Sequence, residues 1–205
     1  MIHADQVAVS GRRGALLEPT SLTLRTGERH LVTAEPGLSH SALALVLAGR
    51  MRPTSGRVTI DGAADDAALR HAVALVDTPG VSEPDDALPV GTVVGEELAL
   101  AGLPAGPRAV SSWLEGHGVS SRHVHFGELA PLTRTRVLAE LAAARPQVRY
   151  LVLTLPERHG GDPAGWWELA AELADRDHGV LVQTTTTTAH GLAAGLTSNP
   201  HLELL

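Results

Sequence analysis

The sequence predicts an α/β fold with an antiparallel β-layer at its N-terminus, and three observations carry that expectation. The stretch Gly27 to Gly62, GERHLVTAEPGLSHSALALVLAGRMRPTSGRVTIDG, reads as strand, loop, helix, turn, strand. Val148 to Leu155 (VRYLVLTL) and Gly179 to Thr184 (GVLVQT) are short apolar runs of the length of buried strands. Val7 to Val9 and Ser21 to Arg25 alternate apolar and polar residues on either side of SGRRGALLEP, as an antiparallel pair does.

Within the organising stretch, His30 to Thr33 is a buried strand and Ala34 to Ser41 (AEPGLSHS) a loop. Ser41 to Gly49 (SALALVLAG) is almost wholly apolar, so it reads as a buried helix ending on a glycine suited to a C-cap. Arg57 to Ile60 alternates and is closed by an Asp61-Gly62 turn. A strand feeding through a glycine-bearing loop into a buried helix is the layout of a phosphate-binding P-loop, where backbone N–H groups and the helix N-terminus cradle polyphosphate. The pattern G-x-x-x-x-G-K-[ST] falls on Ala34 to Ser41. Ala34, Ser39 and His40 replace the two glycines and the lysine, Ser41 matches, and Gly37 survives inside the loop. Gly37, Ser39, His40, Ser41 and Ala42 are thus the candidate nucleotide-binding residues.

Composition bounds the rest. With 205 residues, 43% of them hydrophobic and 19% charged, the chain is expected to form one globular domain, 1–205, able to bury a sizeable core. It has no run of 18 apolar residues and no charged-then-apolar leader, so no membrane insertion is expected and a cytoplasmic location is. A net charge of −7 without a basic cluster argues against nucleic acid as a partner. There is no cysteine, and all 16 basic residues are arginine, so no lysine elsewhere can replace the one missing from the loop.

Behind the loop stand Leu47-Ala48-Gly49, Pro53-Thr54-Ser55-Gly56 and Asp61-Gly62. This series resembles the nucleotide-binding domain of ATP-binding cassette (ABC) transporter ATPases. The resemblance implies a P-loop NTPase-like, mostly parallel sheet flanked by helices, with the N-terminal antiparallel layer and a small helical subdomain inserted at about 81–136. It also implies a membrane permease facing that subdomain. The family stacks a strand-end aromatic on adenine, whereas no aromatic residue precedes Trp113 here. Arg12 or Arg13 is open to that role, and two exposed turn arginines is the simpler account.

The remaining elements follow in order. Ala63 to Arg70 suggests a helical turn and Ala72 to Val76 a buried strand. Thr78 stands where the family carries a glutamine that touches magnesium and the attacking water. Thr92 to Ala101 (TVVGEELALA) resembles the helix opening the subdomain. His123 and His125, if on a strand, share a face, and a metal pair or two solvent-exposed histidines both remain open, the second being simpler. Leu129 to Arg136 (LAPLTRTR) occupies the place of the Leu-Ser-Gly-Gly-Gln signature without its Gly-Gly or Gln, ahead of a helix expected from Val137 to Ala144. Arg134 and Arg136 are open to contact with an anion, and helix-flanking surface arginines is the simpler account. Thr154 and Leu155, before Pro156, fall where the resemblance implies a magnesium-holding aspartate and a water-polarising glutamate. Glu157 to Asp162 resembles the dimer-interface loop. An amphipathic helix is expected over Pro163 to Asp175, where the adjacent Trp166 and Trp167 cannot share one core face, which places one at a groove or interface. Thr185 is the best match to the histidine that contacts the γ-phosphate.

With these chemical positions changed together, rapid ATP hydrolysis is not expected. General acid–base help alone is worth about 10²- to 10⁴-fold. The expected function is that of a degenerate ABC ATP-binding subunit, a structural or regulatory partner of a permease and of a competent ATPase subunit, binding ATP weakly with magnesium doubtful. His40, with a reference pKa of about 6.5, would give nucleotide binding that strengthens on acidification. An active noncanonical P-loop ATPase using Asp77, Glu157 or Asp162, or a small-anion module, are the alternatives.

Overall fold

In the computed structural model, residues 1–12, 14–35 and 37–195 are described, the side chains of 194 and 195 excepted. Arg13, one of the two turn arginines considered above, lies outside them. Two sheets form. β1 (Ile2–Gly11), β2 (Gly14–Leu24) and β4 (Ser55–Ile60) make an antiparallel sheet in the order β2-β1-β4. β3 (Arg29–Ala34), β5 (Val73–Val76), β6 (Tyr150–Thr154) and β7 (Gly179–Thr185) make a parallel sheet in the order β3-β7-β6-β5. The N-terminal strands run 10 and 11 residues, well beyond Val7–Val9 and Ser21–Arg25. Register shifts between Ala4 and Val7, Val7 and Val9, and Val9 and Ser10 break their alternation, so periodicity is visible only in pieces.

Helix α1 (Ser39–Leu47) lies between the two sheets, which is why its sequence is apolar all round. Leu43, Val46 and Leu47 join Ile2, Val7 and Leu22 from one side and Val32, Val152 and Leu181 from the other. It begins at Ser39, two residues ahead of the expected start. Gly49, at φ +61°, ends it with an N–H bond to the Val46 carbonyl, and an added Cβ would sit 2.6 Å from the Asp66 carbonyl oxygen. Gly49→Ala therefore forces both a left-handed alanine and a backbone shift. A loss of about 1–3 kcal/mol is expected, read as a fall in the urea midpoint at constant slope. Asp61 and Gly62, both at positive φ, close the turn between Ile60 and Ala63. α2 (Asp66–Ala72) follows, its first N–H groups accepted by Asp65.

On the other face of the parallel sheet pack α3 (Val90–Leu100), α4 (Pro107–Gly116), α5 (Pro131–Ala143), α6 (Pro163–Ala174) and α7 (Thr186–Gly195). Their core joins Val94, Leu114, Phe126, Val137 and Leu169 to Leu153 and Val180 of the sheet. None of these helices, nor any other among the described residues, is long and apolar enough to cross a membrane.

Three expectations need correction here. α4 occupies the start of 110–126, and His123 and His125 lie beyond it in turns with one isolated bridge at His125, so the shared strand face does not form. Among the described residues no three metal-ligating side chains cluster. α5 starts at Pro131, six residues before Val137, because proline is favoured at a helix's first position; the signature segment is thus largely helical. Trp166 and Trp167 are both buried, at 3% and 5% exposure. α6 packs on β3 and β7 and against α5 and α7, and its exposed positions are Glu168 and Glu172, so its buried arc is wide enough to take both rings. The Arg29 guanidinium lies 4.3 Å over the Trp167 ring and its Nη1 donates to the Trp167 carbonyl at 2.6 Å.

Candidate functional site

Ligands of open α/β sheets gather beyond the carboxyl ends of the parallel strands. At that edge lie the loop after β3, Asp77-Thr78 after β5, Thr154-Leu155 at the end of β6, and Thr184-Thr185 at the end of β7. The structure brings the expected positions together, but the side chains bond one another. Thr154 Oγ1 donates its proton to Gln183 Oε1 at 3.1 Å, which leaves Thr78 to donate to Thr154 at 2.9 Å. All three are buried, at 1% exposure or less. A hydroxyl carries one proton, so both threonine donors are used within this chain, while Gln183 Nε2 is buried without a partner. Leu155 stands in the left-handed region at φ 51°, a cost of about 1–2 kcal/mol for a residue with a Cβ.

The loop is no better supplied. His40 is 2% exposed, and its Nε2 donates to the Thr184 carbonyl at 3.1 Å while Nδ1 has no partner. It therefore reaches across to β7 rather than into the loop, contrary to its expected role beside phosphate. Ala42 is buried, Ser39 and Ser41 are half-buried, and Gly37 is exposed. The N-cap, Leu38, makes no side-chain hydrogen bond and no acidic residue sits in the first turn of α1. The helix N-terminus therefore keeps backbone donors of the kind that accept anions.

Two carboxylates work against that feature. Glu35 lies in the loop, 3.4 Å from the Thr186 hydroxyl. Glu157 Oε1 accepts from Thr184 Oγ1 at 2.6 Å and from the Thr185 backbone N–H at 2.9 Å, while its Oε2 is buried without a partner. Thr185, the γ-phosphate position, thus has its N–H occupied and its hydroxyl bonded to Thr188. Glu157 entered the sequence reading as part of a loop and as one of three carboxylates open to an alternative ATPase chemistry, and nothing in its neighbours announces that it folds back onto β7.

A buried ion network joins three segments at the same edge. Asp77, 5% exposed, accepts from Arg134 Nε at 2.9 Å and from Arg158 Nη2 at 2.9 Å, and His159 Nε2 lies 3.1 Å away. Arg134 also reaches Asp86, and Arg158 reaches Glu83 and the Asp77 and Thr154 carbonyls. Arg134 is 3% exposed with its guanidinium 4.6 Å over Phe126, which corrects its reading as a surface arginine. Burial opposes its charge, yet Asp77 and Asp86 outweigh that and hold its pKa above the ordinary value. Arg136 is paired at the surface with Glu172. Asp162 caps α6 through the Ala164 N–H. Neither Asp77 nor Asp162 is free to serve as a base.

Burial first, aided by Arg134 and Arg158, pushes the His159 pKa below 6.5, and burial does the same to His178. A histidine whose pKa is lower folded than unfolded protonates first in the unfolded chain. Its contribution is intact above the unfolded value and is lost as pH falls toward the folded one. A thermal midpoint that declines from pH 7 to pH 5, with a shallower decline in His159→Gln, is the expected outcome.

The fold is that of the ATP-binding domains of ABC transporters. A nucleotide-free ATP-binding cassette from an ABC transporter superposes with a TM-score of 0.68 at 18% identity, covering 100% of this chain and 87% of that one. A cassette solved as a post-hydrolysis dimer bound to ADP and Pi gives 0.66 at 19%, covering 91% and 88%. CbiO1 from Clostridium perfringens, part of an ABC transporter complex, gives 0.64 at 19%, covering 90% and 77%. In sequence, a taurine import ATP-binding protein, TauB, of Burkholderia pseudomallei strain 1710b is 45% identical over 64 residues, 29% of this chain. The same protein in strain K96243 is 44% identical over 63 residues. The match spans about a quarter of the length of these relatives. No family model matches the chain.

Proposed function

We propose that the chain is a hydrolysis-deficient ABC-type ATP-binding subunit, a structural or regulatory partner of a membrane permease that also works beside a competent ATPase subunit. The observation that carries this reading is the buried hydrogen bond between Thr78 and Thr154, two of the positions where the resemblance implies magnesium and water contacts. The residues present do not fit a magnesium site. That ion takes oxygen ligands in near-octahedral geometry, mostly carboxylates and water, and here the side-chain oxygens of Thr78 and Thr154 are neutral hydroxyls already bonded to each other. Nucleotide binding is weak in this account, resting on the N-terminus of α1 against Glu35 and Glu157. The subunit acts at the inner face of the membrane through its partner, without inserting and without nucleic acid.

One observation favours a second reading, an active noncanonical ATPase: the unpartnered Oε2 of Glu157. Glu157→Gln separates the two. Removal of a carboxylate near the anion site is expected to tighten ATP binding by about threefold to tenfold in calorimetric titration, since like charges a few ångströms apart in partly desolvated surroundings repel by ~1 kcal/mol or more. Unchanged or weaker binding, together with loss of ATP turnover present in the parent, would overturn the first reading in favour of the second.

A further inference from the structure

A cavity of about 230 Å³ lies along β5, the last strand of the parallel sheet, at the far end of α1 from the loop. Nine residues of helix separate the two places. The cavity floor is Val76, Leu138 and Ala142, and its polar walls are Arg50, Arg145 and Glu97. Asp77 also borders it, but its carboxylate is committed to Arg134 and Arg158.

Charge in this cavity is unbalanced. Arg50 donates only to neutral carbonyls, those of Ala48 at 3.3 Å and Val73 at 3.5 Å. Arg145 Nη2 bonds Glu97, whereas its Nε is buried with no partner. Arg70 stands close enough to repel Arg50 and itself donates to the Gly49 carbonyl. Two arginines thus line the cavity, and Glu97, the lining carboxylate not held by Arg134 and Arg158, bonds only one of them, in a chain whose net charge is −7. Capping of the last carbonyls of α1 explains the position of Arg50 and Arg70. It does not explain Arg145 Nε, a charged group's donor left dry beside an open cavity.

We propose that this cavity binds a small oxyanion, of the size of phosphate, held between Arg50 and Arg145. The one surplus positive charge among the lining residues favours an anion over a neutral ligand. Arginine's fork presents two parallel donors to such oxygens, which is the geometry that phosphate accepts. The apolar floor lowers the local dielectric and strengthens both contacts.

The test is a titration of the full chain with inorganic phosphate at constant ionic strength, following the ¹⁵N–¹H signal of Arg145 Nε, which phosphate at the loop would leave in place. A saturable shift is expected. Arg50→Gln, at an exposed position, should weaken the affinity about tenfold, and Glu97→Gln should strengthen it severalfold by freeing Arg145. A shift that never saturates, an affinity unchanged in Arg50→Gln, or one unchanged or reduced in Glu97→Gln overturns the proposal.

Discussion

Asp77→Ala is expected to destabilise the protein by about 3–5 kcal/mol, among the largest effects a single substitution can have here. The reason is what remains afterwards. Arg134, 3% exposed, loses its only buried partner and keeps Asp86, whose side chain is largely in water. Arg158 and His159 are then left as positive or polar groups around an empty place. Asp77→Asn keeps the volume and part of the hydrogen bonding, so it should cost less than the alanine variant. In the background of Arg134→Met the Asp77→Ala penalty should shrink by at least ~1 kcal/mol, because the stranded charge is gone. Urea unfolding of the four proteins measures this coupling. Equal penalties in both backgrounds would show that Arg134 does not depend on Asp77.

Trp166→Ala is the second large effect, expected at about 3–5 kcal/mol. The ring is 3% exposed in a core shared with α5 and the parallel sheet, and its removal leaves a cavity that rigid neighbours cannot fill. Trp167→Ala should cost a similar amount, since it also removes the ring beneath Arg29. A tryptophan seated at a groove would cost much less on truncation. The pair therefore tests whether both rings are seated in the core.

Much of this architecture was legible because it rests on local pattern. Leu151 to Leu153 and Val180 to Val182 are apolar on every residue, as strands covered on both faces must be, and the Gly49 and Asp61-Gly62 punctuation fixed the ends of α1 and β4. The antiparallel layer was seen only in fragments, since its bulges reset the alternation at Gln6 and again before Ser10. Helix α4 was missed: Pro107 to Gly116 opens with proline and mixes small, polar and single apolar residues, with only Val110 and Leu114 buried. The candidate site was legible in its positions and not in its contacts. Thr78, Thr154 and Thr185 do meet at one edge, but that Thr78 and Thr154 satisfy each other depends on strands that pair 76 residues apart in sequence. Arg134 and Asp77 are 57 residues apart, and no local pattern says which of 16 arginines will be buried. His40 was misplaced for the same reason, since its partner is a backbone carbonyl on β7.

These particulars share one physical theme. The edge of the sheet that would hold polyphosphate and metal is occupied by groups that bond one another, hydroxyl to hydroxyl to amide, carboxylate to two guanidiniums, imidazole to carbonyl, with Gln183 Nε2 and His40 Nδ1 left unpartnered. Preorganised donors and carboxylates stabilise a transition state only if they face the reacting atoms with unused capacity, and among the described residues Glu157 Oε2 is the buried carboxylate oxygen at this edge without a partner.

Phosphate release from Mg-ATP by the purified chain, over hours and with the Glu157→Gln variant alongside, tests the account most directly. The account predicts release at the level of the blank for both proteins, with added permease or partner subunit needed for any turnover. Steady release by the chain alone, at about 1 s⁻¹ or slower but clearly above the blank and abolished in Glu157→Gln, would contradict it.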